Sequence, residues 1–187
     1  AQCIRCNSLE RHRFLCDYLN ANPDHLQFKG GMFLHVAPEA CLRPYFRQLV
    51  GQGYLTADMF ADNVDVKMDI SEIQFPDQYF DAIYCSHVLE HVPDDRRAMR
   101  EFARVLKPGG WAILLVPISR EKTYEDLSIQ TPEARRIAFG QADHVRIYGN
   151  DYMDRLAESG FKVKRICLED FLSPQKIRTY GLGSASG

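Results

Sequence analysis

Short apolar runs alternate with helical patterns along most of this 187-residue chain, and this alternation restricts its fold more than any other feature. Runs typical of buried strands occupy residues 32–37, 54–57, 64–68, 79–85 and 111–116. Segments typical of helices lie between them, over residues 39–50 and 94–106. This rhythm predicts an α/β fold, with a doubly wound, mostly parallel sheet of six to seven strands and helices on both faces. We expect residues 160–168 to form the sixth strand.

Composition excludes several classes of protein. The chain has 23 Lys and Arg against 25 Asp and Glu, a net charge of −2, and a pI near 6.3, which argue against a strongly cationic nucleic-acid binder. The longest apolar run, over residues 111–118, is far shorter than the roughly 20 residues that cross a bilayer. No secretory signal opens the sequence, so we expect a cytoplasmic protein with six reduced cysteines.

The first 30 residues form a predicted N-terminal segment, with a helix over 8–20 and a C-x2-C pair at Cys3 and Cys6. Such a pair can supply two zinc ligands, whereas a closed structural site needs four. His12 and Cys16 could complete the set, but a second C-x2-C pair is absent. We interpret Cys3 and Cys6 as half of a zinc ribbon that begins upstream, the alternative being two free thiols.

The residues that follow the predicted strands point to a nucleoside ligand. In parallel sheets, ligands bind beyond the carboxyl ends of the strands. Asp58 follows the second strand and could accept hydrogen bonds from both ribose hydroxyls, while Asp69 could accept from an adenine amino group. Met59 and Ile70 stand beside these carboxylates and could sandwich the base.

Two longer motifs carry a family resemblance. Residues 80–92 (FDAIYCSHVLEHV) and 104–111 (RVLKPGGW) resemble those of class I S-adenosylmethionine-dependent methyltransferases of the small, UbiE-like type, also called methyltransferase type 11. The resemblance extends over residues 33–161, about two thirds of the chain. It implies a Rossmann-like fold, S-adenosylmethionine as cofactor, S-adenosylhomocysteine as product, and methyl transfer as the reaction. It also implies that Ser86 and His87 contact the cofactor.

The first loop departs from the pattern of this family, which normally has glycines there. The aligned segment runs from His35 through Ala37 and Pro38 to Glu39, with Ala37 at the first glycine position. Either these four residues still bind the methionine end of the cofactor, with Glu39 accepting from its ammonium group, or cofactor binding is lost. The retained acidic and Ser-His positions favour the first alternative.

Acceptor chemistry is expected around the later strands. His87, His144 and Tyr148 are candidate catalytic bases, and Tyr124 and Arg146 are candidate substrate contacts. A structural ion pair is an equal alternative for Arg146. Residues 119–143 are longer than a crossover requires, so we predict a lid over the acceptor pocket.

The predicted organisation is an N-terminal segment (1–30), a methyltransferase domain (31–173) and a flexible tail (174–187). The chain looks like one domain of a longer protein, in which zinc could bind. The leading hypothesis is methyl transfer to a small-molecule or glycan-like acceptor. The alternatives are an RNA methyltransferase that uses the zinc ribbon and a catalytically inactive cofactor-binding or regulatory module. No membrane contact is expected, nucleic acid is a disfavoured partner, and the oligomeric state is open.

Overall fold

The computed structural model describes residues 2–22, 31–167 and 172–179. The chain divides into two compact units. The smaller unit comprises Ala1–Gly31, Glu39–Tyr54 and Lys164–Gly187. The larger unit comprises Met32–Pro38 and Leu55–Val163. Among the described residues, no helix is long and apolar enough to cross a membrane.

The regular elements follow the predicted alternation and are numbered here in chain order. The helices are α1 (Glu10–Ala21), α2 (Arg43–Val50), α3 (Asp95–Val105), α4 (Pro132–Phe139), α5 (Tyr152–Glu158) and α6 (Pro174–Thr179). The strands are β1 (Phe33–Val36), β2 (Tyr54–Asp58), β3 (Val66–Lys67), β4 (Phe80–Ser86), β5 (Leu106–Leu115), β6 (Ile118–Arg120), β7 (Tyr124–Glu125) and β8 (Arg146–Gly149).

The main sheet has five strands in the order β3-β2-β1-β4-β5. β1 pairs with β4, β2 with β3, and β4 with β5, each in parallel. Strand order therefore reverses direction between β1 and β4, which is the switch point at which ligands bind in sheets of this type. The α/β class and the parallel pairing confirm the sequence prediction.

The predicted number of strands, six to seven, is wrong for the part of the chain that the structure describes, where the main sheet has five. Residues 161–167 do not form the predicted sixth strand, and Leu168 lies outside the described residues. Phe161 and Val163, which alternate with Lys162 and Lys164, pack against the core. Side-chain alternation records which face is buried but does not supply the neighbouring backbone that a strand needs for its hydrogen bonds.

α3 and α5 complete the core of the larger unit. Asp94 caps α3, since its carboxylate accepts a hydrogen bond from the Arg97 N–H at 2.9 Å. The apolar face of α3 is buried together with side chains from the strands and from α5. This packing fixes the position of β4 and of the turn that follows it.

The predicted lid region is built from regular structure. β6, β8 and β7 form a small three-stranded sheet, in which Ile118 pairs with Tyr148 and Tyr124 with Ile147. α4 lies between β7 and β8, and the Thr131 hydroxyl caps it. β8 thus carries residues 146–149 back toward the larger unit's core, where Tyr148 is buried.

Candidate cofactor and acceptor site

Two strand ends at the switch point turn through unusual backbone geometry. Ala37 follows β1 with a φ of 47°, and His87 follows β4 with a φ of 55°. The strands lie side by side, with Val36 opposite Cys85. The Ala37 N–H donates to the Ala57 carbonyl and the His87 N–H to the Leu115 carbonyl, both at 2.8 Å. Left-handed residues other than glycine cost energy and concentrate at functional sites. The region between these two strand ends, called the crevice below, is therefore the first candidate site.

Ala37 has a left-handed backbone at the position where the glycine is missing. It stands where the resembled family has its first glycine, and its left-handed φ shows that alanine takes the backbone conformation typical of glycine. His35 is fully buried within β1 and packs edge-on against the Tyr84 ring, with centroids 5.1 Å apart. Pro38 is half-buried after the turn. Glu39 belongs to the smaller unit, where its carboxylate lies 3.5 Å from the His12 Nε2.

Both predicted acidic residues are held by their own loops. The Asp58 Oδ1 accepts hydrogen bonds from the Phe60 and Ala61 N–H groups, each at 2.7 Å. The Asp69 Oδ1 accepts from the N–H and the hydroxyl of Ser71, at 2.8 and 2.6 Å. Each loop uses one carboxylate oxygen to fix the side chain, and the other oxygen can accept from a ligand.

The remaining predicted cofactor contacts differ in exposure. Met59 is 54% exposed, as a side chain that covers a bound base would be before binding, whereas Ile70 is buried in the core. The Ser86 hydroxyl is buried and has no hydrogen-bond partner among the described residues. A buried hydroxyl without a partner is uncommon and fits a ligand contact. With Ala37 and the two carboxylates, it makes the crevice compatible with a nucleoside cofactor such as S-adenosylmethionine.

A histidine cluster lies directly after β4. The His87 Nδ1 is 3.3 Å from the Glu90 Oε1, and the His91 Nδ1 is 3.3 Å from the Asp143 Oδ2. The rings of His91 and His144 meet edge to face, with centroids 4.7 Å apart. Glu90 also accepts a backbone hydrogen bond from Val145 at 2.9 Å. The predicted bases His87 and His144 are therefore brought into one cluster, which also contains Glu90 and His91.

The surroundings of one member of this cluster, His144, shift its pKa. Desolvation lowers the pKa of His144, and the neighbouring His91 adds to this effect, because a second cation nearby is unfavourable. His144 is therefore neutral near pH 7, with one ring nitrogen able to accept a proton or bind a metal ion.

Arg146 has a structural role in this arrangement. Its guanidinium donates to the backbone carbonyls of Leu89, Val92 and Pro93. Its Nε lies 3.1 Å from the Glu125 carboxylate, and the side chain is 1% exposed. The structure thus shows the structural ion pair that the sequence left open, rather than an arginine directed at an acceptor.

The two tyrosines predicted from the sequence, Tyr148 and Tyr124, lie in different surroundings. The Tyr148 hydroxyl donates to the Asp95 carboxylate at 2.6 Å within the core. Burial and the Asp95 charge raise the pKa of Tyr148 far above its usual value, so this phenol is unsuited to act as a base. Tyr124 is 37% exposed on β7, packs against Phe139 and lies under the Arg120 guanidinium.

The sequence did not reveal a network of charged side chains in which Glu125 is exposed and the other three members are buried. Asp95, Glu125, Arg146 and Arg155 are linked by ion pairs, and Arg155 contacts both carboxylates, at 3.1 Å (Asp95) and 2.7 Å (Glu125). Hydrogen bonds from Arg155 lower the pKa of Glu125 despite its partial burial. The only signal in the sequence was an acidic first turn in α3, which is equally typical of a residue that interacts with the helix dipole.

The N-terminal cysteines are free thiols in the structure. The Cys6 thiol donates to the Ser8 hydroxyl at 3.3 Å, and the Cys41 sulfur lies 3.1 Å from the His12 Nδ1. Burial raises the pKa of Cys16 to about 11. Among the described residues, none of these thiols belongs to a group of three donors close enough to share a metal ion.

Residues 51–114 match the family model described as a methyltransferase domain. Over these residues the chain is similar to methyltransferase domains. The C-methyltransferase UbiE of ubiquinone and menaquinone biosynthesis from Vibrio cholerae is 35% identical over 106 residues, which cover 52% of this chain and 40% of that protein. The chain spans less than half the length of the curated relatives it matches.

Two solved structures share the fold of this chain. An S-adenosylmethionine-dependent methyltransferase from Mesorhizobium loti aligns with a TM-score of 0.56 at 16% identity, covering 87% of this chain and 88% of that one. The [4+2]-cyclase SpnF aligns with a TM-score of 0.51 at 20% identity, covering 80% and 59%. At these identities the likeness shows the fold, which can support more than one chemistry.

Proposed function

We propose that this methyltransferase domain transfers the methyl group of S-adenosylmethionine to a small-molecule or glycan-like acceptor. The observation that carries the proposal is the pair of left-handed turns at Ala37 and His87, which lie at the switch point where the resembled family binds its cofactor. The glycine-free loop retains the backbone geometry on which close approach of a cofactor depends.

In this proposal, residues of three neighbouring strand ends and their loops hold the cofactor. Asp58 accepts from the ribose hydroxyls and Asp69 from the adenine amino group, each through the oxygen that its loop leaves available. Met59 covers the base, and the buried Ser86 hydroxyl gains the partner that it lacks among the described residues. His35, Pro38 and Ile70 remain further proposed contacts with the cofactor. Glu39, which belongs to the smaller unit, stays a prediction from the sequence alone.

S-adenosylmethionine supplies a methyl group that its sulfonium sulfur has already activated, so the protein's main task is positioning. In the transfer, the acceptor forms a bond to the methyl carbon while the carbon–sulfur bond breaks and its electron pair stays on sulfur. When the acceptor is a hydroxyl or a protonated amine, its proton must also leave. His87 and His144 are the groups that we propose for this proton, with Tyr124 as an acceptor contact from the lid.

Zinc held by Cys3 and Cys6 stays a proposal, because a closed site needs two further ligands. RNA methylation through such a zinc module and a catalytically inactive module remain the alternatives. No contact among the described residues specifically favours either one.

Incubation with methyl-labelled S-adenosylmethionine distinguishes these functions. The chain is tested against a panel of small hydroxyl, amine and carbon acceptors, including glycans, and against structured RNA. Label in a small acceptor supports the proposal, and label only in RNA contradicts it in favour of the RNA alternative. Cofactor binding without label transfer to any acceptor in the panel contradicts it in favour of the inactive module.

A further inference from the structure

Three donor side chains of the histidine cluster converge on one point. The ligand atoms of Glu90, His91 and His144 all lie within 4.8 Å of one another. Glu90 and His144 are buried, at 1% and 7% exposure. Two imidazoles and one carboxylate form a donor set that binds divalent transition metals and leaves coordination positions open for other ligands.

Glu90 provides the second observation that points to a ligand. Its Oε1 lies near His87, whereas its buried Oε2 has no hydrogen-bond partner among the described residues. A buried carboxylate oxygen without a partner is costly unless a ligand or a cation compensates it.

Residues around the cluster orient the donors as they do in metal sites. The His91 Nδ1 lies against the Asp143 carboxylate at 3.3 Å, which leaves Nε2 with an available lone pair. A carboxylate that holds the second nitrogen of a histidine is the usual support of a metal-binding imidazole. The rings of His91 and His144 are in direct edge-to-face contact, so no residue lies between them.

We propose that Glu90, His91 and His144 bind one divalent first-row transition-metal ion at the acceptor side of the crevice. Binding would draw the three ligand atoms together from their present separation and give the Glu90 Oε2 its partner. Among the described residues, this is the group of three donors that meets the distance requirement.

A metal ion at this position would indicate the chemical class of the methyl acceptor. This inference about the acceptor rests on the proposed function. An open coordination position on the metal ion would bind the oxygen of an acceptor hydroxyl and make that hydroxyl more acidic. This favours an oxygen acceptor such as a phenol, a diol or a hydroxy acid. The acceptor oxygen then forms the bond to the methyl carbon, the carbon–sulfur electrons remain on sulfur, and the acceptor proton passes to the His87 imidazole. His144 is in this account a ligand rather than a base.

Cobalt(II) is the probe that tests the site. The whole chain is freed of metal with a chelator, titrated with CoCl2 by calorimetry, and examined by absorption spectroscopy. We expect about one Co²⁺ per chain, with weak d–d bands typical of nitrogen and oxygen ligands. His144→Ala and the more conservative Glu90→Gln should each weaken binding at least about tenfold, and Asp143→Asn by about 10- to 100-fold.

A Cys3→Ser/Cys6→Ser double variant is the matched control, because it removes the C-x2-C pair, the other candidate metal-binding motif. It should bind Co²⁺ as the wild type does. The inference is overturned by absent Co²⁺ binding, by thiolate charge-transfer bands that disappear in the double cysteine variant, or by unchanged affinity in folded His144→Ala and Glu90→Gln. Circular dichroism establishes folding. S-adenosylhomocysteine binding is measured in parallel, so failure of the metal site is distinguished from failure of the proposed cofactor site.

Discussion

The Tyr148 hydroxyl donates to the Asp95 carboxylate at 2.6 Å inside the core, beneath the turn that carries the histidine cluster. Because this phenol is buried and protonated, Tyr148→Phe should cost stability and leave cofactor binding unchanged. We expect a loss of about 1–3 kcal/mol in the free energy of unfolding, typical of a buried polar group that loses its partner. Urea denaturation and S-adenosylhomocysteine calorimetry measure the two quantities.

Tyr124→Phe is the control for this prediction, since Tyr124 is partly exposed and no hydrogen bond of its hydroxyl is part of the core network. Its unfolding free energy should stay within about 0.5 kcal/mol of the wild type. A Tyr148→Phe variant with full stability and lost methyl transfer would instead support the catalytic role that the sequence suggested.

A substitution at Arg146 distinguishes a structural role of this residue from a role in acceptor binding. Arg146→Met removes the cation that faces Asp95 and Glu125 and frees three backbone carbonyls, so we expect a loss of about 3–5 kcal/mol in unfolding free energy. Arg136→Met is the matched control, because Arg136 forms an exposed pair with Glu133 and should change stability by at most about 1 kcal/mol. A stable Arg146→Met variant whose only defect is a raised acceptor KM would show that Arg146 binds the acceptor.

Substitutions at Ala37 test whether its left-handed backbone conformation costs stability. Ala37→Gly should leave stability unchanged or raise it by up to about 1 kcal/mol, since relief of the left-handed strain outweighs the entropy of glycine. Ala37→Val should lower it by about 1–3 kcal/mol, because a β-branched residue is poorly accommodated there. Thermal and urea unfolding provide the measurements.

Ala61→Gly serves as the control for backbone entropy, because Ala61 is not among the residues with positive φ. It should lower stability by up to about 1 kcal/mol. An equal loss in Ala37→Gly and Ala61→Gly would contradict the account of strain at Ala37.

The fold was predictable to the extent that it depends on local pattern. Apolar runs and caps located all five strands of the main sheet and helix α3, because periodicity records burial directly. The sixth strand was predicted wrongly over residues 160–168, since the same alternation occurs in a segment that packs without a neighbouring strand.

The candidate site was predictable where it follows the sheet. Ser86 and His87 occur at a strand end, and parallel topology brings such ends to one edge. Arg146 and Tyr148 were harder to assign, because β8 lies far along the chain and its burial depends on partners such as Asp95, 51 and 53 residues away in sequence. No local pattern encodes such pairings.

Calorimetric titration with S-adenosylhomocysteine tests the central claim, cofactor binding at the strand ends, most directly. The account predicts micromolar binding by the wild type and binding that is about 10- to 100-fold weaker in Asp58→Ala, as expected for the loss of hydrogen bonds to a charged group. Asp62→Ala, at an exposed carboxylate paired with Lys67, should bind as the wild type does. Absent binding heat in the folded wild-type chain, or equal affinity in Asp58→Ala, would contradict it.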